Sequence, residues 1–543
     1  MNTPKSDNIF AKLAVAGPET YILERIKQIP PHLKVTFFSV VLIGALVHGF
    51  GFFNKFINED SLFHFHDSLA YLYQSGRWML VSLQFVRGFY VAPWIIGVFA
   101  VFYLAIAVTL VISILDIKNR LHCVAISALI VTFPAWANQF MYDFMADAYP
   151  AAMLLAALAI YVSKKYKFGF LVGAFCLMLS LALYQSFLAF AIGLALMAVI
   201  RFILEGSRDT KAILLYGGKF LLCGVLGLIL YVISVRISLR ITGGSLFAYQ
   251  GMDAIGTFSM GDLPRLLIDA YDIFFRSFRP TGTDVVNQIY ISFGRGLLYA
   301  TVFLLMAYLF VKRVIVDRLY QHVPAFLILL ACLLFLPLGL NVTVITAPTA
   351  EFHSLMTNPF VLGVVLLFVF LDVDQIPREA KEKRRGVSLA LIALVATILI
   401  SGSYMRQTSS FYFVQHIQYE SSFAFYNRML ARIEGAEGYE PGMPVALIGE
   451  APFPYIGDAE TLISERWQIV GFSGRRPAVG LGEWFKSVNF IQNYLGVQIV
   501  PATEEEITRV VESELFAEMP LYPRYGSVAV IDGVLVVKLN EVS

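Results

Sequence analysis

The chain has 543 residues, 58% of them hydrophobic and only 15% charged, with a formal net charge of +2. Soluble globular chains run to about 45–50% apolar and about 25% charged, and here the apolar residues come in long runs, not in alternating or helical stripes. Composition therefore excludes a soluble multidomain enzyme, a disordered scaffold and a disulfide-rich secreted protein, and the balanced charge argues against nucleic acid as a partner.

The predicted fold class is a polytopic α-helical membrane protein with a small C-terminal α/β domain. A hydrocarbon core of about 30 Å needs roughly 20 apolar residues per helix. That ruler gives about eleven spans, centred near residues 44, 104, 130, 154, 176, 194, 226, 301, 335, 364 and 396. The first follows a stretch holding Lys5, Lys12, Arg25, Lys27 and Lys34 and is followed by no small-residue cleavage site, so it reads as an uncleaved anchor. Residues 168–204 are long enough for two spans and are split at Tyr184-Gln185-Ser186, the polar break. Cys123, Cys176, Cys223 and Cys332 all lie in apolar runs without metal-type spacing and read as buried apolar side chains.

Lysine and arginine collect in cytoplasmic loops. With the N-terminus inside, the inner segments carry Lys118 and Arg120; Lys164, Lys165 and Lys167; Arg208 and Lys211; Lys312, Arg313 and Arg318; and Arg378, Lys381, Lys383, Arg384 and Arg385. The short outer segments 137–149, 184–186 and 346–358 carry none. An odd span count puts the C-terminus outside, which in a bacterial inner membrane is the periplasm. Arginines do occur in two long outer loops, 54–92 and 236–290, and those are where function is expected. The domain division is 1–404 for the membrane part and 405–543 for the outer part. In the latter, Pro444 to Gly449 reads as a buried strand. Glu504 to Phe516 reads as an amphipathic helix capped by Thr503, and Ser527 to Lys538 as a hairpin turning at Asp532-Gly533.

The first outer loop is the most informative. If 60–74 is helical, Asp60, His64, Asp67 and Tyr71 share one face, with Leu62, Phe65, Leu69 and Leu72 largely opposite. Two readings fit: a solvated polar face at the membrane surface, or a carboxylate set at the lip of a cavity as general base. His64 and His66 with the two aspartates are also available to a divalent metal. His-x-His on a helix splays the rings, so metal is not favoured and no cofactor is expected. Asp143, Asp147 and Tyr149 in the second outer segment suit either sugar hydroxyls or the headgroup interface. In the third, Gly261-Asp262-Leu263-Pro264 starts a helix with Leu263, Leu266, Leu267, Phe274 and Phe278 on one face. Arg276 and Arg279 near its end suit a lipid phosphate or snorkel into headgroups. Glu351 and His353 form a short outer turn that would complete the cavity.

With Glu59-Asp60 after the first span, Tyr73-Gln74-Ser75-Gly76-Arg77-Trp78, and a tail of Met519-Pro520-Leu521-Tyr522-Pro523, Gly526-Ser527-Val528 and Val536-Val537-Lys538-Leu539, the chain resembles a known family. This is the Gtr-type O-antigen glucosyltransferase family of serotype-conversion enzymes, within the GT-C superfamily of polyprenyl-phosphate-sugar transferases. The resemblance implies an undecaprenyl-phosphate-linked hexose donor on the periplasmic leaflet and a surface polysaccharide hydroxyl as acceptor. It also implies functional coupling to a lipid-sugar synthase and a flippase. Of the acidic pair, Asp60 is preferred over Glu59 as catalytic base, and Arg77 touches phosphate or braces the loop. Chemistry then suggests a single, inverting displacement without metal: a carboxylate takes the acceptor proton and arginines stabilise the departing phosphate. The competing readings are a lipid-linked sugar flippase, an O-antigen polymerase or ligase, and a non-enzymatic receptor. No inverted repeat points to a transporter.

Overall fold

The computed structural model describes residues 18–56, 61, 70–88, 91–247, 260–280, 292–348, 352–374, 380–449 and 484–540. Its membrane part is a helix bundle, as it must be where no water is present to satisfy backbone polar groups. In chain order come α1 (Pro31–Phe53), the short α2 (Met79–Arg87), α3 (Pro93–Ile114), α4 (Arg120–Thr132), α5 (Ala148–Lys165) and α6 (Gly169–Leu183). Then follow α7 (Phe187–Leu204), α8 (Thr210–Thr242), α9 (Leu263–Arg276), α10 (Phe293–Val316), α11 (Val323–Leu340), α12 (Val361–Asp374) and α13 (Ala380–Glu434).

Eight helical stretches among the described residues are long and apolar enough to cross a membrane, and α4 and α6 are shorter apolar helices. The eleven expected centres fall on α1, α3 to α8 and α10 to α13, with α12 only 14 residues long. The split at 184–186 holds, since α6 ends at Leu183 and α7 begins at Phe187. The span-length windows of α5 and α7 are 72% and 78% buried, against 22% and 28% in α8 and α10. So α5 and α7 lie inside the bundle while α8 and α10 present most of their apolar surface outward. Glycine sets the closest crossing of α1 and α3: a Cβ on Gly97 would sit 2.2 Å from the Phe52 ring.

Cationic side chains bind the helices at one end. Lys164 is bonded to Asp116; Arg201 holds Glu205 at 2.7 Å and Asp372 at 2.9 Å; Lys312 holds Asp374 at 2.6 Å. These segments are the ones assigned above to the inside. All four cysteines are free and buried.

The expected boundary at 404/405 falls within α13, which runs unbroken for 55 residues. At 1.5 Å per residue that is about 80 Å, more than twice the hydrocarbon thickness. Its far half buries Tyr419, Tyr426, Met429 and Ile433 against one face of a four-stranded sheet, beside Val445, Leu447, Leu535 and Val537. The sheet order is β2-β1-β4-β3, from β1 (Pro444–Ile448), β2 (Val500–Pro501), β3 (Val528–Ile531) and β4 (Val534–Lys538). β1 runs parallel to β2 and β4, while β3 and β4 form the expected hairpin. Asp532 and Gly533 turn it at φ 48 and 78, the paired positive φ of a tight hairpin turn. Strand residues alternate faces, so Ala446, Ile448, Val534 and Val536 pack on the other side, against Ile507, Val510 and Phe516. The single helix expected over 504–516 is two, α14 (Glu504–Val511) and α15 (Glu514–Glu518). Thr503 and Glu506 close the expected capping box, and Ser513 breaks the helix by capping the Phe516 backbone N–H itself.

Candidate functional site

At the end of the bundle away from the lysine and arginine pairs, segments remote in sequence are bonded to one another. Gly76 takes a left-handed φ of 70, which turns the chain sharply after the helix Ala70–Gln74 and presents Arg77. Arg77 Nε donates to Gln185 Oε1 at 3.4 Å, and the guanidinium lies 5.1 Å from the Tyr184 ring centre. Gln185 Nε2 donates to the Ser75 carbonyl and to the Tyr231 hydroxyl, both at 3.0 Å, and that hydroxyl donates to the Gly76 carbonyl at 3.3 Å. Tyr149 packs edge-on against Tyr184 at 4.9 Å. Trp78 Nε1 donates to Ser234 Oγ at 3.1 Å, tying the turn to α8. Arg77 thus sits among tyrosines and an amide, with no carboxylate partner among the described residues.

The second outer segment supplies the acids. Ser61, which follows Asp60 in the chain, donates to Asp143 Oδ1, and the Phe144 N–H donates to the same oxygen at 2.8 Å. Asp143 therefore anchors the first outer loop. Asp147 is wholly buried and faces Arg87 Nη1 at 3.2 Å, where the arginine is only 2% exposed. The pair is in charge contact without hydrogen-bond alignment, and among the described residues the three Arg87 nitrogens and both Asp147 oxygens have no hydrogen-bond partner. Burial pushes the Arg87 pKa down, and the opposing Asp147 charge restores part of it. Asn138 Nδ2 donates to Ser354 Oγ and Gln139 Nε2 to the Leu355 carbonyl, both at 2.7 Å, which pins this segment to the outer turn holding His353.

The third segment behaves as expected in outline: α9 buries Leu266, Ala270 and Phe274. Its arginines are not free, however. Arg276 is bonded to Asp272, and Arg279 lies 3.6 Å from the same carboxylate. Beside them, α9, residues 343–348 and residues 352–356 flank a groove of about 480 Å³.

The structure therefore links Arg77 to Tyr149 through Tyr184, sets Asp147 against Arg87 and Asp143 against Ser61, and places Arg276, Arg279 and His353 on the adjoining segments. Glu59, Asp60, His64, Asp67 and Glu351 lie outside the described residues, as does His66. Among the described residues no group of three or more His, Cys, Asp or Glu is placed to hold a metal. Sequence reasoning missed Arg87, Tyr184, Gln185 and Tyr231 as parts of one site. The polar break at 184–186 was the available signal, and it was used only to separate two spans. It also missed Tyr494, beyond the sheet's first strand, whose phenol is pushed up by burial and by the Asp143 charge. The sheet-bearing segment thus comes within electrostatic reach of the second outer segment.

A family model described as glucosyl transferase GtrII matches residues 49–371. The match takes in every outer segment described above and stops before α13. No curated protein and no solved structure matches the chain.

Proposed function

The chain belongs to the glucosyl transferase GtrII family, and from that premise we propose that it moves glucose from an undecaprenyl-phosphate donor to a hydroxyl of a surface polysaccharide such as O-antigen. It does so as an eleven-span GT-C transferase in the bacterial inner membrane, with the N-terminus cytoplasmic and residues 405–543 in the periplasm. The observation that carries the reading is Arg77: a guanidinium held by Gln185 and Tyr184 with no carboxylate partner among the described residues is suited to a phosphate. Tyr149, Tyr184 and Tyr231 around it offer ring faces and hydroxyls to the hexose.

In the reaction, Asp60 takes the proton of the acceptor hydroxyl as its oxygen attacks the anomeric carbon. The bond from that carbon to the phosphate oxygen breaks, and Arg77 stabilises the charge left on undecaprenyl phosphate. One base and one departing phosphate suffice, so the displacement inverts the anomeric centre and needs no metal. Ser61, bonded to Asp143, holds the chain beside the base.

The test is transfer by the purified chain in detergent, given undecaprenyl-phosphate glucose and an acceptor glycan, with and without chelator. Transfer unaffected by chelator, and lost in Asp60→Asn, is expected. No transfer from any hexose donor, or full activity in Asp60→Asn, would sink the assignment, and chelator-sensitive transfer would return the histidines as metal ligands.

A further inference from the structure

A transferase acting on a polysaccharide needs a second binding surface, open enough for a chain to pass through. The groove between α9 and the residues 343–348 and 352–356 is lined on one wall by Arg265, Asp269, Asp272 and Arg276, which recur on one face of α9. The other wall offers Pro348 and Phe352. Among the described residues its polar wall carries two guanidiniums and two carboxylates, whose charges balance. Arg276 is moreover already bonded to Asp272. A phosphate brought here would meet arginines whose charge is spent and carboxylates that repel it. A sugar is the opposite case, because each hydroxyl both donates and accepts. Two carboxylates flanked by two guanidiniums along one wall offer acceptors and donors to a row of hydroxyls, and the apolar wall suits the C–H faces of the rings.

We propose that this groove is the acceptor site and that its ligand is a chain of uncharged sugars, an inference that rests on the glucosyl-transfer reading above. The groove also leads toward the other outer residues. Phe352 and Met356 line it, and the intervening Ser354 and Leu355 receive hydrogen bonds from Asn138 and Gln139, a few residues ahead of Asp143.

The test uses the full-length protein in detergent with two probes: lipid-free, uncharged surface polysaccharide purified from the host, and undecaprenyl phosphate. Asp269→Asn alters the polar wall without touching an ion pair among the described residues, and Phe352→Ala alters the apolar one. Each should weaken polysaccharide binding about tenfold or more, the size of a lost hydrogen bond to a charged group. Each should also raise the acceptor KM while leaving undecaprenyl phosphate binding unchanged. Asp272→Asn frees two guanidiniums and should tighten undecaprenyl phosphate binding at the expense of polysaccharide. Wild-type polysaccharide affinity in both Asp269→Asn and Phe352→Ala overturns the proposal, as does loss of undecaprenyl phosphate binding in either. Glucose transfer with unaltered acceptor KM in the two variants ends this inference and leaves the transfer reading standing. Groove-dependent polysaccharide binding by a chain that transfers nothing does the reverse.

Discussion

Replacing Arg87 by methionine removes one half of a buried ion pair and leaves the other charge in place. At the observed 3.2 Å the attraction is about 5 kcal/mol for an effective dielectric of about 20. Taking the two ions out of water costs several kcal/mol each. Among the described residues neither side chain recovers that cost through aligned hydrogen bonds, since none is made by Nε, Nη1, Nη2, Oδ1 or Oδ2. The pair as a whole is therefore close to neutral or unfavourable, whereas breaking it strands a charge. Arg87→Met should cost about 3–5 kcal/mol of stability, and Arg87→Met with Asp147→Leu should recover most of that loss. Equilibrium unfolding in mixed micelles, followed by tryptophan fluorescence, measures both. If the pair is retained for the reaction, the double variant is stable yet transfers glucose poorly. The reasoning fails if Arg87→Met costs less than about 1 kcal/mol, or if the double variant is as unstable as the single one.

Gly76→Ala forces a Cβ into a left-handed turn, at about 1–2 kcal/mol, and puts it 2.7 Å from the Tyr231 hydroxyl. Displacing that hydroxyl opens the surroundings of Arg77, so the KM for the lipid-linked donor should rise more than the KM for the acceptor; equal changes in both would count against the phosphate role of Arg77. At α14, Glu506 has its pKa lowered by hydrogen bonds from the Thr503 backbone and side chain. Its folded pKa lies below its unfolded one, so the capping box contributes fully above the unfolded value of about 4.3 and is lost as pH falls through the lower folded value. Hydrogen exchange across 504–511, corrected for the intrinsic rate, should show protection falling in that acid window in wild type but not in Glu506→Gln.

Features set by local chemistry were legible in the sequence. Apolar runs place the helices, Tyr184-Gln185-Ser186 divides α6 from α7, Asp532-Gly533 turns the hairpin, and Thr503 with Glu506 caps α14. The pairing of Arg276 with Asp272 was equally readable, because residues four apart on a helix are neighbours. What was not legible depends on the contacts of residues distant in the chain. The polarity of α13 changes at Arg406 because it leaves the apolar layer, while its backbone continues because its far half gains a new apolar partner in the sheet. Arg87 and Asp147 are 60 residues apart, and neither has a local feature that marks it as the other's counterion.

The same dependence explains why charge separates the two substrates better than residue type does. By residue type alone Arg77, Arg276 and Arg279 are alike: each is open to a phosphate, or to bracing a loop or snorkelling into headgroups. Their surroundings distinguish them: Asp272 neutralises the latter two, Asp147 occupies Arg87, and Arg77 is held by an amide and an aromatic ring, with no carboxylate partner among the described residues. A phosphate gains most at a cation that no carboxylate already satisfies, and an uncharged polyol gains most where donors and acceptors stand side by side. On that ground the proposed anionic donor is assigned to Arg77 and the proposed neutral acceptor to the groove along α9. An exchange of charge, Asp272→Asn in one site or Arg77→Gln in the other, should alter one substrate's binding at a time.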